Sequence, residues 1–144
     1  MIILKSIPLL AYILAVYNAI GFFLPAPMTD TLSTTLFSLP LASGGEWVAT
    51  LGDSLIVLGI LALYFELFRA TRTTKVSVIN HTLSMLIFIV FLVEFILVAG
   101  AGNSAFLIIG LMSLLDVIAG FTISIVAARR DLAGGVVTGG VQAE

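Results

Sequence analysis

The chain contains no cysteine, and its one histidine is His81. Without cysteine there are no disulfides, no thiolate metal sites and no cysteine nucleophile. A single histidine cannot build a histidine-rich zinc site or a bis-histidine haem site. No metal or cofactor is therefore expected. Charge is also scarce. Only 10% of the 144 residues are charged, against 60% hydrophobic, and mean hydropathy is +1.24. A soluble domain of this size needs more charge to cover its surface. The net charge of −2 gives no argument for nucleic acid as a partner. No glycine-rich phosphate loop is present, because the glycines of 99–102 sit between two apolar stretches. None of the serines or threonines pairs with a histidine and an acid as an activated nucleophile. An enzyme is not expected.

What the chain does have is four long apolar stretches, at about 7–24, 47–68, 78–99 and 105–128. Each is long enough to cross a hydrocarbon core of about 30 Å as a helix. The six cationic residues sort by side. Lys5 precedes the first stretch, Arg69, Arg72 and Lys75 lie between the second and third, and Arg129 and Arg130 follow the fourth. The connections after Leu24 and after Val98 carry no Lys or Arg. This positive-inside pattern predicts an all-α fold, an integral-membrane four-helix bundle running up-down-up-down with both termini cytoplasmic. The bacterial cytoplasmic (inner) membrane is the expected location and the lipid bilayer the first expected partner. Residues 1–131 are expected to form the bundle, and 132–144, rich in glycine, a flexible tail. The first stretch is too long for a signal-peptide core, and Leu24-Pro25-Ala26-Pro27 is a poor cleavage site.

The longest connection, 25–46, is placed outside. Pro25 and Pro27 end the first span, and 30–39, with Leu32, Leu36, Phe37 and Leu39 among Thr and Ser, reads as a short helix in the membrane interface, with an irregular loop as the alternative. Ser43 and Glu46 have capping-box spacing, so the second span is expected to begin there, with Trp47 at headgroup level. Asn103 or Ser104 is expected to cap the fourth span.

Carboxylates inside hydrocarbon are costly and usually face other helices. Asp53, Glu94 and Asp116 qualify. With a rise of 1.5 Å per residue, Asp53 falls about 9 Å below Trp47, Glu94 about 8 Å from the outer end of its helix, and Asn18 about 9 Å from Leu24. Asn18, Asp53 and Glu94 are thus expected to converge in the outer third. Asp116 falls near the midplane, about 18 Å from Ser104. These four residues are the candidates for an ion or proton relay, and hydrogen bonding to neighbouring helices is the plainer alternative. In the fourth stretch Ser113, Asp116, Gly120, Ser124 and Ala128 recur at helical spacing. Such a stripe of small and polar groups lets helices approach closely. At the cytoplasmic end, Glu66 and His81 are expected to pair, and Glu66 stands three residues before Arg69.

Two functions fit these features. The first is an accessory, assembly or scaffold subunit of a membrane complex, packing against other membrane-protein helices as a homo- or hetero-oligomer. The alternative is a proton- or cation-conducting transporter or channel subunit, working as an oligomer through the buried carboxylates.

Overall fold

The computed structural model describes residues 7–24, 26–70 and 75–138, and in the last stretch the side chains of 81–126, 128 and 129. The chain is mostly helical, all-α in class, with one small hairpin. Helix α1 is Leu9–Phe23, α2 is the short Met28–Leu32, β1 is Thr35–Pro40 and β2 is Glu46–Thr50. Helix α3 is Leu51–Ala70, α4 is Lys75–Leu97, a 3-10 turn covers Ala99–Ala101, and α5 is Ser104–Thr138.

Pro8 stands in extended backbone just before α1, where its ring presets the first turn and its missing N–H costs nothing. Pro27 does the same for α2. Of the interfacial helix expected over 30–39, only Asp30–Leu32 is helical, as the end of α2; Thr35–Pro40 instead joins the antiparallel pair β1–β2, in which Leu39 faces Trp47 and Pro40 faces Glu46. The cause is local. Leu41 N–H bonds the Gly45 carbonyl at 2.8 Å, Gly44 N–H bonds the Leu41 carbonyl at 3.0 Å, and Gly44 takes φ +83°, which glycine adopts without strain. A Gly-Gly pair between two runs of Leu, Phe, Thr, Val and Trp is a hairpin signal, and it prevails over the helical spacing of the leucines.

The same hairpin overturns the expected start of the second span. Ser43 lies in the hairpin turn, and Glu46 and Trp47 belong to β2, so they form no helix cap. Helix α3 starts at Leu51, under a capping box made by Thr50 and Asp53. Thr50 N–H donates to Asp53 Oδ2 at 3.0 Å, Thr50 Oγ1 donates to the same oxygen at 2.7 Å, and Asp53 N–H donates to Thr50 Oγ1 at 3.2 Å. Asn103 caps α5, its Oδ1 accepting Phe106 N–H at 3.0 Å. Helix α5 continues through Thr138, past Ala128; residues 139–144 of the glycine-rich tail lie outside the described residues.

The four long helices close a ring of contacts. Helix α1 packs on α3 and α4, and α5 packs on α3 and α4. Helices α1 and α3 run antiparallel, the start of α1 meeting the end of α3 at Leu9 and Glu66, whereas α1 and α4 run parallel, Asn18 late in α1 meeting Glu94 late in α4. The centre is filled by Leu10, Leu14, Leu55, Phe91, Phe106, Ile109 and Met112. Close approach is set by Gly59, where an added Cβ would lie 3.0 Å from Met112 Sδ, and by Gly110, which lies against Phe91. The outward faces are as apolar as the core: Leu58, Leu61 and Phe65 on α3, Leu86 and Val93 on α4, and Leu111, Leu115 and Ile118 on α5 are all exposed. Among the described residues, two helices are long and apolar enough to cross a membrane, Leu51–Ala70 and Ser104–Val126; Leu9–Phe23 and His81–Leu97 are apolar but shorter.

Candidate functional site

Two layers of polar side chains tie the long helices together, an inner one that is buried and an outer one in which Asn18 is exposed and Glu94 half-buried. The inner one is built on α5. A residue three or four positions on returns to the same helix face, so Ser113, Asp116 and Gly120 point together into the protein, where all three are buried. Ser124 is half-buried and Ala128 is exposed. The stripe therefore packs within the chain through its first four members and leaves the helix group at Ala128. Opposite it, α4 presents His81 and Ser84, three residues apart and each 1% exposed. The Ser84 hydroxyl faces the Asp116 carboxyl. Among the described residues, neither Ser84 Oγ nor Asp116 Oδ1 has a partner at hydrogen-bonding geometry.

His81 packs directly against α5 at Gly120. A Cβ placed on Gly120 would fall on the imidazole ring, with Cγ only 2.8 Å away. The ring centroids of His81 and Phe121 are 6.1 Å apart. Gly120 is thus the notch that admits the histidine, rather than simply one more small residue in a stripe.

Glu66 of α3 completes this layer and is fully buried. Its Oε1 accepts Leu9 N–H at 2.6 Å and Arg69 Nη1–H at 3.2 Å. The first contact satisfies an amide that the start of α1 would otherwise leave without a partner. Glu66 also lies close enough for its charge to act on both His81 and Asp116. The expected Glu66–His81 neighbourhood is thus present, with Asp116 included. The side chains of Arg72, Lys75 and Asn80 lie outside the described residues.

The outer layer is smaller. Asn18 Nδ2 donates to both Glu94 oxygens, at 3.0 and 2.9 Å. Tyr17 donates to the Gly100 carbonyl at 2.8 Å, and Asn103 Nδ2 bonds the Tyr17 hydroxyl and the Gly100 carbonyl at 2.9 Å. Asp53 does not join them. Because α3 begins at Leu51 and not at Trp47, Asp53 sits in the first helical turn and its carboxylate is held by Thr50. The expected triad reduces to the pair Asn18–Glu94.

Between the layers Leu14, Phe91, Phe106, Ile109 and Met112 are all buried. Phe106 packs on Tyr17 at 4.6 Å and on Phe91 at 5.2 Å between ring centroids. From Phe106 to Met112 this apolar layer is about 9 Å deep along α5.

Ser84 and Thr50 were not singled out from the sequence, and neither was the contact between Tyr17 and Asn103. Ser84 carried a signal, standing three residues after His81 on one helix face. Thr50, with Asp53 three residues on, is itself a capping-box pattern. Tyr17 and Asn103 meet across 86 positions, and no local pattern announces that contact. Among the described residues, no group of three or more His, Cys, Asp or Glu side chains is arranged to hold a metal ion. No protein-family model, no curated protein and no solved structure matches this chain.

Proposed function

We propose that this is an integral membrane protein whose four long helices each cross the bilayer, with the start of α1 and the end of α5 on the cytoplasmic side of a bacterial-type inner membrane. We further propose that it works as an accessory or assembly subunit of a membrane complex. The sidedness of Lys and Arg supports the topology, and so do the apolar outward faces, which water would not tolerate at this extent. One observation carries the functional reading. The two polar layers are separated by the packed layer of Leu14, Phe91, Phe106, Ile109 and Met112. A polar route from one end of the chain to the other is absent from the described residues. What the protein offers to its surroundings is the apolar surface of its helices, where helices of a partner can pack. The test is purification in mild detergent at native expression. A stable assembly larger than one chain is expected, and a chain recovered only as a monomer refutes the subunit reading.

A second reading keeps one specific observation in its favour. Glu66, His81 and Asp116, from three different helices, gather at buried positions, as a proton or cation relay requires. Asp116→Asn separates the two readings. It keeps the size and most of the hydrogen bonding of a neutral acid and abolishes titration. A subunit should keep its assembly and its ability to complement a deletion strain. Intact assembly with complementation and proton flux both lost would establish the relay instead.

A further inference from the structure

The β1–β2 hairpin has two unlike faces. Phe37, Leu39 and Trp47 share one: Leu39 lies opposite Trp47 and Phe37 opposite Ala49, and the rings of Phe37 and Trp47 meet edge to face at 5.9 Å. The other face carries Ser38, Val48, Pro40 and Glu46. The three large residues of the first face are all more than 40% exposed, while Ala49, at the root of the same face, is 2% exposed. The apolar face thus continues out of the protein core and then loses its cover. A two-stranded hairpin on its own is marginal in water, so something else must take up that face.

We propose that the uncovered face of Phe37, Leu39 and Trp47 lies in the headgroup boundary of the outer leaflet, so that the hairpin rests on the same bilayer that the helices cross. This rests on the membrane reading above. Three observations select lipid. First, β2 runs into α3 with no linker, and the joint is clamped by the Thr50–Asp53 box and by Leu51 N–H on the Thr34 carbonyl at 2.9 Å. Trp47, four residues before Leu51, is at most about 13 Å from the start of α3. Secondly, the outer ends of α1 and α4 expose Phe22, Phe23, Ile96 and Leu97, at 82%, 76%, 68% and 75%. Side chains of that kind need lipid up to their own level, which is the level from which the hairpin departs. Thirdly, residues 25–46 carry no Lys or Arg, and Glu46 is on the opposite face. An aromatic, uncharged face matches the interfacial belt of a bilayer, and it does not depend on anionic headgroups.

The chain has one tryptophan, so Trp47 reports on the hairpin without labelling. The full chain is reconstituted into phosphatidylcholine vesicles, and resistance to alkaline extraction shows separately that the helices are inserted. Loss of that resistance would refute the membrane reading itself. In inserted protein, lipids brominated close to the headgroup should quench Trp47 more than lipids brominated near the chain end. Aqueous iodide should quench it little. The Phe37→Ser, Leu39→Ser variant should remain inserted, shift Trp47 emission to longer wavelength and lose the bromolipid quenching. Inserted protein whose Trp47 is open to iodide and untouched by bromolipid would overturn the proposal, since the hairpin would then stand in water. Protection from both quenchers would also overturn it, and would assign the face to protein, such as a second copy of the chain. Unchanged bromolipid quenching in the double variant would overturn the assignment of the face.

Discussion

At the scale of single residues, Gly120 and His81 compete for one space. The imidazole occupies the space that any side chain at 120 would need. Gly120→Ala should therefore destabilise the protein by about 1–3 kcal/mol, the usual cost of forcing atoms into a filled core, despite the better intrinsic helix propensity of alanine. Thermal unfolding in detergent measures this. His81→Ala opens the space again, so in the double variant the cost of Gly120→Ala should largely vanish. Costs that simply add would show that the two side chains do not compete for one space. The spacing of Ser113, Asp116 and Gly120 already placed them on one face, because a helix periodicity is a property of one segment. That Gly120 receives His81 in particular is a relation between two helices, and nothing near either residue in the chain encodes it. The same holds for Tyr17 and Asn103.

At the scale of elements, the joint between hairpin and helix depends on Thr50. Its hydroxyl and amide engage Asp53, and the turn they close is also where β2 ends. Thr50→Val keeps the shape and removes the hydroxyl. Faster amide hydrogen exchange is expected at Asp53 and through β2, with α5 unchanged; unaltered exchange at Asp53 would mean that the box does not hold the joint. This element was the least legible in the sequence. Two capping-box patterns compete within eleven positions, Ser43 with Glu46 and Thr50 with Asp53. The choice between them turns on Gly44 and Gly45 starting a return strand. The four long helices were legible because unbroken apolar runs of that length have few alternatives in a chain so poor in charge. Their ends were less so: α3 starts four residues later than Trp47, and α5 extends ten residues past Ala128.

At the scale of the whole molecule, the proposed topology makes a sharp prediction, and the native lack of cysteine provides a clean background. A cysteine at Ser43, exposed in the hairpin turn, should react in intact cells with a reagent that does not cross the inner membrane. A cysteine at Thr73, between α3 and α4, should react only after the membrane is opened. The reverse pattern would invert the protein in the bilayer. The convergence of Asn18 with Glu94 was foreseeable at this scale from depth alone, since the first and third spans of an up-down-up-down chain run parallel and bring late positions of α1 and α4 to one level. The exclusion of Asp53 was not, because its depth was counted from a helix start that the hairpin displaced.

The packed layer of Leu14, Phe91, Phe106, Ile109 and Met112 has an electrical consequence. A cell that stores energy as a voltage must insulate every polypeptide it threads through the membrane. Buried acids and a histidine in a transmembrane protein invite leakage, since each lowers the barrier for an ion that reaches it. Moving a bare ion into a region as apolar as this layer carries an idealised cost of order 20 kcal/mol. With the chain spanning the bilayer as proposed, this layer of about 9 Å is a dielectric in series with the lipid. It lets Glu66, His81 and Asp116 stay buried near one side while the membrane around them remains charged.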